Sequence, residues 1–68
     1  MTVLEELGDE VKRTMAGVRL LWEPKGSRWH ASVVVPRKPG AFVLSPAVGT
    51  VTEAAEKAIN LLREEPSA

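Results

Sequence analysis

Apolar residues at Leu4, Leu7, Val11 and Met15 recur at intervals of three and four, the spacing of one face of a helix. Thr2 and Glu5 stand ahead of this stripe as a capping box, in which hydroxyl and carboxylate each satisfy a backbone N–H left free by the first turn. Asp9, four residues before Arg13, is expected to pair with it. Gly17 is placed to close the helix in a left-handed conformation. Gly8 weakens the helix by about 1 kcal/mol relative to alanine, so tertiary contact is needed to hold it.

The middle of the chain changes period. Val18, Leu20 and Trp22 alternate with Arg19, Leu21 and Glu23, and Trp29, Ala31, Val33 and Val35 alternate with Arg28, His30, Ser32 and Val34. Pro24-Lys25-Gly26-Ser27 is turn chemistry between them. A four-residue loop sets Glu23 against Arg28, Trp22 against Trp29 and Leu21 against His30. Both tryptophans are then expected in the core, with Glu23 and Arg28 paired on the opposite face.

Pro36-Arg37-Lys38-Pro39-Gly40 reads as a stiff basic loop, because two prolines remove ladder donors. Phe42-Val43-Leu44-Ser45 follows as a third strand. Placing Phe42 opposite Val35 puts Phe42 and Leu44 on the tryptophan side and Val43 on the other. Thr50 and Glu53 form a second capping box, ahead of a stripe at Val51, Ala55, Ala58 and Leu62. Alanines on that side let the helix approach a sheet closely, and Glu53 and Lys57 are spaced to pair outside it. Pro66 ends the helix, and the tail beyond it is expected to fray. The expected fold is α+β: a single domain over residues 1–68 in the order α-β-β-β-α, with a three-stranded antiparallel sheet and both helices on one face.

Composition narrows the function classes. At 68 residues, 44% hydrophobic and 26% charged, the chain suits one small globule. With no cysteine it offers no disulfide, thiolate metal site or thiol nucleophile. Val33-Val34-Val35 is too short a run to cross a membrane, and Glu5, Glu6, Asp9 and Glu10 stand where a signal peptide would be apolar. A cytoplasmic protein is expected. The net charge is zero but unevenly spread: acids dominate both ends, while Lys12, Arg13, Arg19, Lys25, Arg28, Arg37 and Lys38 face Glu23 alone in the middle. Such a basic centre steers anionic partners locally.

Chemistry finds little footing. Catalysis needs titratable groups converging in a cleft, but most carboxylates fall on the expected helices and tail, and His30 is the only histidine. Lys25-Gly26-Ser27 lacks the upstream glycine of a phosphate loop. No catalytic residue, cofactor or metal site is expected, and His30 reads as a contact residue rather than a general base.

A surface remains. With both helices on the tryptophan side, the other sheet face is expected to show Arg19, Leu21, Arg28, His30, Val34 and Val43, apolar groups among basic ones. Lys25, Arg37 and Lys38 extend this candidate partner-binding set into the loops. Phe42–Ser45, an edge without charge, invites a partner strand from a protein or from a second copy.

Trp29 to Leu62 resembles the HicB-like antitoxin fold: a strand with an aromatic start, a Pro39-Gly40 turn, and a helix opening Thr50-Val51-Thr52-Glu53-Ala54 with Ala58 further on. The resemblance implies binding of a small toxin nuclease, often as a dimer. The N-terminal helix departs from that pattern. The α-β-β-β-α order is similar to a double-stranded RNA-binding domain, though Thr52 and Glu53 stand where paired lysines would face phosphate. Gly26-Ser27-Arg28-Trp29 with the last helix resembles the arm-binding domain of tyrosine integrases, which implies Arg19, Arg28 and His30 as DNA readers. The expected function is a non-enzymatic regulatory protein, antitoxin-like or inhibitor-like, that engages a protein through its open sheet face and third strand. The alternative is a nucleic-acid-binding module using the basic hairpins.

Overall fold

The computed structural model describes residues 2–38 and 40–68, so the expected turn at Pro39 lies partly outside the described residues. The elements are α1 (Val3–Thr14), β1 (Gly17–Glu23), β2 (Arg28–Val34), β3 (Val43–Leu44) and α2 (Val51–Arg63). Both strand pairings are antiparallel, in the sheet order β1-β2-β3. The α+β order is the expected one.

Local chemistry starts both helices. Thr2 Oγ1 accepts the Glu5 N–H at 3.1 Å while the Glu5 carboxylate returns to the Thr2 backbone. Thr50 Oγ1 accepts the Glu53 N–H at 3.1 Å and donates to Glu53 Oε1 at 3.0 Å. That bond occupies the carboxylate expected to pair with Lys57. The end of α1 departs from expectation: Met15, not Gly17, takes the left-handed conformation, at φ 58°. The helix stops two residues early and Gly17 opens β1. Met15, in the cap, and Leu4, in the first turn, both expected on the apolar face, are exposed, and Leu7 and Val11 carry the packing.

The core is built from small side chains. Ala16, Ala31, Val33, Val35, Ala58 and Leu62 form one buried cluster, with Leu7, Val11, Val18, Leu20 and Leu61 against it. Ala31 on β2 and Ala54, Ala55 and Ala58 on α2 have almost no exposed surface. Short side chains on both partners let the helix lie close over the central strand. Val51, at the start of the expected stripe, is exposed. The Cα atoms span 35 × 31 × 14 Å, a slab only one helix layer and one sheet thick. One sheet face is therefore covered and the other bare.

Arg13 ties the helices together. Its Nε lies 2.9 Å from Glu10 Oε1, while Nη2 and Nη1 donate to the carbonyls of Leu62 and Glu65, each at 2.8 Å. The partner is thus Glu10 rather than Asp9. The tail is also held instead of frayed, since the Ala68 N–H donates to the Arg13 carbonyl at 2.9 Å. Arg63 and Glu6 add a second contact between the helices at 3.5 Å.

The hairpin register is the expected one, from Gly17↔Val34 to Glu23↔Arg28, with Pro24–Ser27 as the loop and Ser27 at φ 50°. The tryptophans meet at 5.3 Å between ring centroids, tilted by 56°. They are not core. Trp22 is 49% exposed and Trp29 is half-buried, because the alanine face of α2 covers β2 at Ala31 and Val33 and leaves this end of the hairpin uncovered.

The third strand is shorter than expected and in the other phase. Ser32 pairs with Leu44 and Val33 with Val43, whereas Trp29 bridges to Val48. His30 and Ala31 therefore stand against Ser45, Pro46 and Ala47, a bulge that adds one residue to the outer chain. The expected register holds at Val48 and slips by one before Ser45. Val43 consequently faces the helix side, beside Leu61 and Val33, and Phe42 and Leu44 turn to the open face.

Candidate functional site

The bare sheet face is built by alternation. In β2 the side chains of Ala31 and Val33 go to the helices, so His30, Ser32 and Val34 point away from them. Their partners in β1 are Leu21, Arg19 and Gly17, and Leu44 lies opposite Ser32. Arg19, Leu21, Ser32, Val34, Phe42 and Leu44 line a shallow groove of about 720 Å³. Its floor is apolar: Leu21 is 43% exposed, Val34 39%, Leu44 52% and Phe42 62%. Val34, Phe42 and Leu44 gather at one end of this face, and Leu21 stands apart from them across Arg19 and Ser32.

The expected site residues separate into three groups. Arg19, Leu21, Arg28, His30 and Val34 share the open face. Val43 does not join them, because its pairing with Val33 puts it behind the sheet. Lys25 sits exposed in the hairpin loop at the end of that face, whereas Arg37 Nη2 is held 2.8 Å from Glu65 Oε2 at the end of α2. Lys38 lines a groove with Val43 and Leu61, again behind the sheet. The basic loop is thus separated from the open face. Phe42 and Leu44 are the residues that sequence reasoning missed. Their signal is the run Phe42-Val43-Leu44, in which a two-faced strand must expose one phase or the other.

His30 is the most constrained polar group on the face. Its Nε2 lies 2.7 Å from Glu23 Oε2 and its Nδ1 3.3 Å from the Ser45 carbonyl. Glu23 therefore reaches diagonally to His30 instead of across to Arg28. Both of the histidine's partners only accept hydrogen bonds, so the charged imidazolium, with two N–H groups, is the form that satisfies both. The bond to Glu23 holds the His30 pKa above its ordinary 6.5, and the Ser45 carbonyl adds to the rise against a smaller opposing effect of desolvation. This ties the hairpin to the bulge.

Ser45 fixes the bulge from inside. Its hydroxyl accepts the Ala31 N–H at 2.8 Å, and its own N–H donates to the Ala31 carbonyl at 2.8 Å. The side chain thus stands in for the strand carbonyl that the extra residue displaces. Among the described residues no group of three or more histidine and carboxylate side chains is gathered as for a metal ion. No helix there is long and apolar enough to cross a membrane.

Fold and site together define a small α+β domain with helices on one side of its sheet and an apolar, arginine-edged face on the other. Compared with protein-family models, with curated proteins and with solved structures, the chain has no match in any of the three.

Proposed function

We propose that this chain is a non-enzymatic binding protein of the cytoplasm, antitoxin-like or inhibitor-like, that covers part of a protein partner with its open sheet face. The observation that supports this reading is the groove in which Leu21, Val34, Phe42 and Leu44 are left in water beside Arg19 and Ser32. Exposed apolar groups mixed with arginine are the composition of a protein interface. The antitoxin-like part of the reading leans on the resemblance of Trp29–Leu62, the segment that folds as β2, β3 and α2.

The test compares the wild type with the double variant Phe42→Ser/Leu44→Ser in capture from host lysate, with and without nuclease. A protein retained after nuclease and in raised salt, and lost with the double variant while circular dichroism is unchanged, supports the reading. Capture that vanishes with nuclease or falls steeply with salt would establish the nucleic-acid alternative in its place.

A further inference from the structure

We propose that the chain pairs with a second copy of itself along the outer edge of β1. It takes Arg19 and Leu21 from one border of the open face and leaves Val34, Phe42 and Leu44 to whatever that face binds. The sheet has two edges, and β1, with seven residues, is much the longer, since β3 has two and runs into the Pro46 bulge. Trp29 and Ala31 turn their backbone groups toward residues 45–48. Alternation in an antiparallel sheet then sends those of His30, Ser32 and Val34 to β1. The N–H and C=O groups of Val18, Leu20 and Trp22 are left pointing off the sheet. Residues 17–23 hold no proline, no lysine and no bulge, the usual devices that protect such an edge.

What fits this edge is set by the order Arg19-Leu20-Leu21-Trp22-Glu23, which complements itself in reverse. Laid antiparallel on a second copy with Leu21 on the two-fold axis, Arg19 falls opposite Glu23, Leu20 opposite Trp22, and Leu21 opposite its own equivalent. Leu20 and Trp22 both carry outward backbone groups, so this register also brings their free donors and acceptors together, while Val18 falls opposite Pro24, which has no N–H to give. A register shifted to put Leu20 on the axis pairs all three outward residues but sets Arg19 against Leu21 and Glu23 against Gly17, and loses both charge pairs, so the choice between the two rests on the charges. Like charges meet nowhere in the first arrangement, and opposite charges directly across a strand pair favour it. Glu23 reaches His30 through Oε2 alone, so Oε1 can face the arginine of the second copy. Trp22 and Leu21, both more than two-fifths exposed, would be covered. Each copy has one such edge, so the contact closes at two chains. Two open faces then join into one six-stranded surface.

Sedimentation equilibrium over a concentration series reads the pairing directly. The wild type should rise from the mass of one chain to that of two. Arg19→Glu and Glu23→Arg each set like charges opposite and should remain single chains. An equimolar mixture of the two variants restores both opposite-charge pairs and should give a two-chain species. Leu21→Cys supplies a second readout, because this chain has no cysteine and the two Leu21 positions would form a closely spaced, non-hydrogen-bonded pair. Under mild oxidation it should cross-link at least about tenfold faster than Val34→Cys, which is exposed but off the edge. A wild type that stays a single chain through the millimolar range would overturn the proposal. So would an Arg19→Glu variant that associates like the wild type, or a Leu21→Cys variant that cross-links no faster than Val34→Cys.

Discussion

Arg13 offers the sharpest test of how this small core is held. Its guanidinium donates to two carbonyls at the end of α2 and to Glu10, and the side chain is 33% exposed. Hydrogen bonds to a charged group are worth about 1.5–3 kcal/mol each when shielded, and partial exposure reduces that, so Arg13→Ala should cost about 2–3 kcal/mol in all. A cation at a helix C-terminus is also favoured by the helix dipole, an effect contained in the same total. A domain of this length has roughly 3–10 kcal/mol of stability to lose. The thermal midpoint should therefore fall by roughly 10–20 °C. Arg13→Lys keeps the charge but not the planar fork, and should recover about half of the loss. Thermal unfolding followed by tryptophan fluorescence measures both. An Arg13→Ala midpoint within about 2 °C of the wild type would refute the reasoning, since so small a shift corresponds to under about 0.5 kcal/mol. An Arg13→Lys variant as stable as the wild type would show that charge alone, and not the fork, caps the helix.

Two further outcomes follow from the polar groups around the bulge. Because the folded state raises the His30 pKa, that group's stabilising contribution is complete below about 6.5, its unfolded value, and is lost as the pH rises through the higher folded-state value. Urea midpoints measured from pH 5 to 9 should show this loss, and Glu23→Gln should flatten it. Ser45→Ala removes the acceptor of the fully buried Ala31 N–H and should cost about 1–3 kcal/mol, read as a lower urea midpoint at unchanged slope.

What could be read from the sequence was local. Both N-caps rest on residues three apart, and the hairpin register rests on a four-residue loop between two clean alternations, so each needs no knowledge of the rest of the fold. The burial of Trp22 depends instead on how far α2 extends over the sheet, which no pattern within the strand encodes. Arg13 had acids at both Asp9 and Glu10 within helical reach, and the choice fell to carbonyls about fifty residues away. The third strand was the most ambiguous: Phe42, Val43 and Leu44 are all apolar, so hydrophobicity favours neither phase. Pro46 and Gly49 marked where the strand must end but not that an extra residue precedes Val48.

That extra residue reconciles the phase of β3 with the pairing at Val48, and its removal is a direct test. Trp29↔Val48 and Ser32↔Leu44 enclose two residues of β2 and three of the outer chain. Deleting Ala47 leaves two against two, so both pairings hold in a regular ladder, with Pro46 opposite His30 and Ser45 opposite Ala31. The missing N–H of Pro46 costs nothing there, because the backbone groups of His30 turn to β1. Phe42 and Leu44 then stay on the open face, and Val43 stays beside Leu61 behind the sheet. Nuclear Overhauser contacts from the Leu61 methyls should remain on Val43, and capture of a protein partner should survive the deletion. Contacts from Leu61 that move to Leu44 would refute this, since they would mean that β3 slips along β2 when the outer chain shortens. If they stay, the phase of the strand, and with it the composition of the surface, originates where β3 pairs with Ser32 and Val33 and not in the bulge.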